Sequence, residues 1–154
     1  NKVYDFGLEF FCNADGTIDF KGISLFATRG GAYLGNILAT EADKREMLSR
    51  YADLALVDSV SERICNILSA HFKGVYEGAF GVDMMAVARE DGDGFMLHPC
   101  VELNLRRTMG HLALALTPTI AEPQRIMSIS YADKYRMRIH DTAKNLLNTS
   151  MVTP

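Results

Sequence analysis

The chain has 154 residues, 48% of them hydrophobic, with a formal net charge of -3 at pH 7. That length and apolar content suit a single domain over residues 1–154 with its own core, and charges of mixed sign, with no basic run to track a phosphate backbone, exclude nucleic acid as an expected partner. No apolar stretch approaches the length of a membrane helix and no signal-peptide layout opens the chain. Three cysteines (Cys12, Cys65, Cys100) in no framework spacing predict reduced, buried thiols in the cytoplasm.

In chain order, VYDFGLEFFC (3–12) alternates and is rich in aromatics, NADG (13–16) is a turn signal, and TIDFKGISLFAT (17–28) alternates again. Together they predict an antiparallel hairpin. RGGAYLGN (29–36) predicts a loop whose glycines admit a ligand. From Glu41 to His71, and on to Phe72, Met47, Leu48, Tyr51, Leu54, Ala55, Val60, Ile64, Leu68 and Phe72 recur at three- and four-residue steps, which predicts one or two amphipathic helices with ADLALVDS (52–59) as the junction. GAFGVDMMAVARED (78–91) reads as a strand, EDGDG (90–94) as a tight turn, and FMLHPCVELNLR (95–106) as the partner strand. RTMGHLALAL (107–116) opens a helix that Pro118 and Pro123 punctuate. RIMSISYA (125–132) is a further strand, and HDTAKNLLNTS (140–150) a last short helix. The order predicts an α+β fold, an antiparallel sheet covered by helices on one face.

The chemistry gathers in HPCVELNLRRTMG (98–110), where Glu102, Asn104 and Arg106 occupy every second position of a strand and so share one side of the sheet. If the two strands around EDGDG pair, Asp83 meets Glu102 on that side, near the far end of the hairpin. Two carboxylates and an amide oxygen are hard ligands suited to Mg²⁺, which takes its remaining ligands from water and nucleotide phosphates. Arg106 adds a planar fork of donors for a phosphate or carboxylate. His98 and His111 flank the row, but with Cys100 they match no zinc spacing. His98 before Pro99 belongs at the start of a strand or in a bulge, because proline removes a ladder donor. The methionines are core filler, and Arg107 points away from Arg106.

From about Tyr76 to Gly110, the pattern GAFGVDMMAV followed by HPCVELNLRRTMG resembles the C-terminal lobe of ATP-grasp enzymes. Their signature there is an acidic strand residue, a turn, then a Glu-x-Asn-x-Arg strand running into a glycine-containing loop and helix. The resemblance implies that Asp83 and Glu102 are acidic Mg²⁺ ligands and Asn104 an amide ligand, with Arg106 acting on the transferred phosphate or acyl-phosphate. It also implies ATP as the nucleotide, Glu9 on the first hairpin facing it, Met85 lining an adenine pocket, and a small-molecule carboxylate and a nucleophile as substrates. Arg29, in the 29–36 loop, is a candidate for reaching a phosphate.

The pattern is incomplete. An earlier lobe with a phosphate-reaching lysine, a flexible loop over the nucleotide and a preceding substrate domain are not in this sequence, which begins without Met. The expectation is therefore the C-terminal lobe fragment of a longer protein, inactive alone. Its partners would be the missing N-terminal domains, and a bared apolar patch would invite homo-oligomers. The competing expectation is a non-catalytic α+β binding or scaffold module in which Asp83, Glu102 and Arg106 form a structural salt-bridge network.

Overall fold

A computed structural model of the chain describes residues 2–117 and 124–141. The expected first hairpin is β1 (Lys2–Cys12) against β2 (Ile18–Arg29). The predicted 29–36 loop is corrected: Gly30 and Gly31, at φ 57° and 80°, make a two-residue turn, and the chain returns along β2 as β3 (Ala32–Leu38). Positive φ at both central residues is the backbone twist a tight hairpin requires, and glycine adopts it without steric cost.

Two helices follow, α1 (Glu41–Leu48) and α2 (Leu54–Phe72). Thr40 caps the first, and Asp53 caps the second by accepting from Ala55 N, so the junction lies at 49–53 and most of the predicted 52–59 junction is helical. β4 (Gly78–Ala88) and β5 (Phe95–Asn104) form the second hairpin as expected, and α3 (Met109–Leu116) starts behind the Thr108 cap. β6 (Arg125–Tyr131) pairs with β7 (Tyr135–His140), a strand the sequence reading passed over because two arginines interrupt its apolar residues. Pro118 and Pro123 fall outside the described residues, as does the expected 140–150 helix beyond Asp141, while His140 itself closes β7.

All neighbours in the sheet are antiparallel, in the order β5-β4-β1-β2-β3-β6-β7. Alternation along β1 decides the layers. Phe6, Leu8 and Phe10 face α1 and α2 and pack with Leu25, Val57, Phe72, Phe80 and Met84 as the main core. Gly7 and Glu9 face the other way. The expectation of helices on one face holds for α1 and α2, while the short α3 lies on the opposite face over Leu38 and Met127.

One polar device closes the core. Lys44 of α1 is 2% exposed, with Nζ 2.6 Å from Ile23 O and 2.7 Å from Glu41 Oε2, while Glu41 Oε1 accepts from Ile23 N at 2.9 Å. β3 pairs with β2 only from Phe26 onward, so these two side chains satisfy backbone groups of Ile23 that no strand reaches. The cysteines form no disulfide, as expected, but the expected burial fails at Cys100, which is exposed on β5. Among the described residues, no helix is long and apolar enough to cross a membrane.

Candidate functional site

The second hairpin sets the two carboxylates. Asp83 lies directly opposite Glu102 and Gly81 opposite Asn104, so both acids and the amide share the α3 side of the sheet. The register then shifts: Met85 pairs with His98, so Pro99, Cys100 and Val101 stand in a bulge. This is the irregularity expected beside a proline that cannot donate to the ladder. On β1, Glu9 pairs with Gly81 and Gly7 with Asp83, which brings Glu9 onto the same wall.

These residues border a cleft of about 360 Å³. One wall carries Glu9, Asp83, Glu102, Asn104 and Arg106, and the other carries Ser24, Phe26, Tyr33 and Asn36, with the first residues of α3 between them. Five of the seven candidate residues thus come together. Arg29 does not line the cleft; the turn beside it brings Gly31 to the rim instead. Met85 also stays out of the lining, paired with Asp5 and His98 beyond the bulge. The neutral wall was not anticipated: Asn36 is fully buried, accepts from the Tyr33 hydroxyl, and donates to Ser24 Oγ at 2.7 Å.

Of the charged side chains on the first wall, only Glu9 faces an opposite charge, that of His111. Asn104 Nδ2 donates to Asp83 Oδ2 at 3.2 Å, and Arg106 Nη2 donates to Asn104 Oδ1 at 2.9 Å, so the amide bridges acid and guanidinium. Among the described residues, none of Asp83, Glu102 and Arg106 belongs to an ion pair. Burial, then the charges of Glu9 and Glu102, push the Asp83 carboxyl up to about 6, partly offset by the Asn104 bond.

A raised carboxyl pKa means that folding favours the protonated acid, so the associated stability is full below the ordinary value of 3.8 and is lost as pH rises through about 6. Asp83→Asn is expected to stabilise the ligand-free chain at pH 7.5 by about 1–2 kcal/mol, after discounting for solvent, and to flatten its stability between pH 5 and 7.5. Thermal melts of both proteins at the two pH values check this; a variant that melts lower at pH 7.5 overturns it.

The start of α3 is built on Glu9. This side chain is 2% exposed, and its Oε2 accepts from Thr108 Oγ1 at 2.8 Å and faces His111 Nδ1 at 2.9 Å. His111 Nε2 lies 3.0 Å from Phe10 O. Burial, the largest single influence on His111, opposes its charge, but the bonds to Glu9 and the Phe10 carbonyl outweigh it and raise its pKa. Glu9 therefore spends one oxygen on anchoring α3, a role that sequence spacing did not announce. The backbone N–H groups of Met109 and Gly110, both on the cleft, find no acceptor among the described residues and form a donor pair at the positive end of the helix.

The donor set fits a hard divalent cation in chemical type through its two carboxylates, whereas the Asn104 amide, expected as a ligand, turns its NH₂ to Asp83 and its oxygen to Arg106. Among the described residues no three His, Cys, Asp or Glu side chains gather in a metal cluster, so a cation here would complete its shell with water or ligand oxygens. No family model matches the sequence, and no curated protein matches it. A solved structure of a protein from Archaeoglobus fulgidus, described provisionally as belonging to the ATP-grasp superfamily, matches with a TM-score of 0.46 and 14% sequence identity, covering 92% of this chain and 46% of that one. This chain thus spans about half the length of that protein.

Proposed function

We propose that this chain is the ATP- and Mg²⁺-binding lobe of an ATP-grasp-type carboxylate ligase working in the cytoplasm through an acyl-phosphate intermediate. The observation that carries this reading is one cleft holding two acids without a cation and an arginine without an acid. A structural salt-bridge network would pair Arg106 with Asp83 or Glu102, which share its cleft; the guanidinium instead bonds Asn104. Charges left apart in this way suit a ligand that brings its own cation and its own anion.

On this reading Asp83 and Glu102 would hold Mg²⁺, with the Asn104 amide bridging Asp83 and Arg106 beside them, and the metal would supply neutralisation of phosphate charge. Arg106 presents its fork to the transferred phosphoryl group, and the Met109 and Gly110 N–H groups add two fixed donors. Glu9, through Thr108 and His111, keeps those amides in place. The carboxylate and the nucleophile that displaces phosphate are contributed in the company of further domains of the same protein.

The experiment is a titration of the chain with MnCl₂ and ADP, read by paramagnetic broadening of backbone NMR signals. Broadening centred on residues 83, 102 and 104 that strengthens with ADP is expected, with no ATP hydrolysis above background. Metal binding elsewhere on the surface overturns the site, and brisk hydrolysis by these 154 residues overturns the assignment as half a catalytic centre.

A further inference from the structure

Glu9 and His111 meet in a way that fixes how many protons lie between them. His111 Nε2 is 3.0 Å from the Phe10 carbonyl, which can only accept, so that nitrogen carries a hydrogen. The other ring nitrogen, Nδ1, is 2.9 Å from Glu9 Oε2. Lone pairs on both atoms would repel at that distance, and the two side chains are only 10% and 3% exposed, so little water can relieve them. One proton must sit between the two groups, whichever of them carries it. Thr108 completes the arrangement: its hydroxyl donates to Glu9 Oε2 at 2.8 Å and accepts from His111 N at 3.3 Å. The pair thereby ties β1 to the first turn of α3, beside the Met109 and Gly110 N–H groups on the cleft.

We propose that this proton is a latch: while it is present α3 is seated on β1, and its loss in mildly alkaline solution loosens the first turn of α3 and withdraws the Met109 and Gly110 donors from the cleft. The helix gives way because Glu9 cannot, being fixed in the sheet between Gly22 and Gly81. Burial disfavours charge on His111, but the bonds to Glu9 and the Phe10 carbonyl, with the charge of Glu9, outweigh it, so its pKa stands above 6.5. The stability supplied by the latch is full below pH 6.5 and is lost as pH rises through the raised value. Of the other charged groups, Arg107 disfavours the imidazolium, and Asp83 on β4 senses Glu9 through its charge alone. Glu41 of α1 approaches α3 at Leu114 but is spent on Lys44 and Ile23 N. β2, β3 and β6 meet α3 through Ser24, Leu38 and Met127, all neutral. The latch does not rest on the ligase reading, which adds only that phosphate oxygens would lose those donors.

The test uses the whole chain without metal or nucleotide. Long-range proton–nitrogen NMR spectra of the imidazole rings follow the protonation of His111 from pH 6 to 9, and amide hydrogen exchange gives protection factors for residues 111–114 over the same range. His111 is expected to titrate with a midpoint above 6.5. At that midpoint protection in α3 is expected to fall at least about tenfold, the loss of one charge-assisted hydrogen bond, while α2 keeps its protection. His111→Asn, whose amide can donate to Glu9 at any pH, is expected to hold α3 protection level across the range. If that variant loses α3 altogether, the coincidence of the two wild-type midpoints decides. A His111 ring that titrates at 6.5 or below, titration with α3 protection unchanged, or a folded His111→Asn chain with the wild-type pH profile overturns the latch. Absence of Mn²⁺–ADP binding while the two midpoints coincide would instead sink the ligase reading and leave the latch standing.

Discussion

The Glu102→Gln chain is expected to bind Mn²⁺–ADP at least about a hundredfold more weakly than the wild type, a loss of about 2.7 kcal/mol. The substitution keeps shape and volume and removes one of two full charges that face the cation, so the whole effect falls on metal-dependent binding. Folding should not weaken, because Glu102 is exposed, forms no ion pair among the described residues and only repels Asp83. One partner of a buried salt bridge would behave otherwise: its loss strands a cation at a cost of about 3 kcal/mol. Calorimetric titration and thermal melting of this one variant separate the cases, and a large melting shift with proportionate weakening of binding defeats the metal-ligand assignment.

Gly110→Ala is expected to cost about 3 kcal/mol of stability, from overpacking together with broken hydrogen bonds to a charged group. The added carbon would sit 1.9 Å from Glu9 Oε1 and 2.7 Å from Ser24 Oγ, and the Glu9 carboxylate cannot swing aside while Thr108 and His111 hold it. Either α3 lifts from the sheet or Glu9 abandons its anchors. Denaturant titration measures the loss, and a variant within about 0.5 kcal/mol of wild type, the range of ordinary surface changes, would show that α3 is not seated on Glu9 as described.

The sheet and its hairpins were legible because alternation survives in them. The Asp83 and Glu102 pairing followed from two alternating runs around EDGDG, and of the strand start or bulge expected at His98–Pro99, the bulge is present at Pro99–Val101. What escaped was hidden by competing signals. Gly30 and Gly31 together spell a two-residue hairpin turn, yet the five residues after them, Ala32 to Asn36, mix small, aromatic, aliphatic and amide side chains and read as a loop. In YRMRIH, Arg136 and Arg138 occupy the face away from α3, so β7 alternates correctly but does not look apolar. At the site, residues tied to the strand period were placed well. Arg29 came from reading 29–36 as a ligand-admitting loop and Met85 from the family resemblance, and both miss the cleft, Met85 although the strand period sets it on the Asp83 side of β4. The Glu9, Thr108 and His111 cluster joins residues about a hundred positions apart, a separation at which spacing says nothing.

The bulge at Pro99 has a bearing on how this hairpin tolerates change. Between the pairs Asp83 with Glu102 and Met85 with His98, β4 advances two residues while β5 uses four, so the slack of the hairpin is taken up there and not at its tip. Pairing on the site side is held separately, by Gly81 against Asn104 and by β1 on the far edge of β4. The tip at 89–94 is thereby mechanically insulated from the acid pair: lengthening or shortening it alters the strand ends beyond the bulge and leaves Glu102 facing Asp83. Peptide insertions or new chain termini at that tip are expected to leave the acid wall in place, which makes it the part of the hairpin freest to change while the cleft stays fixed.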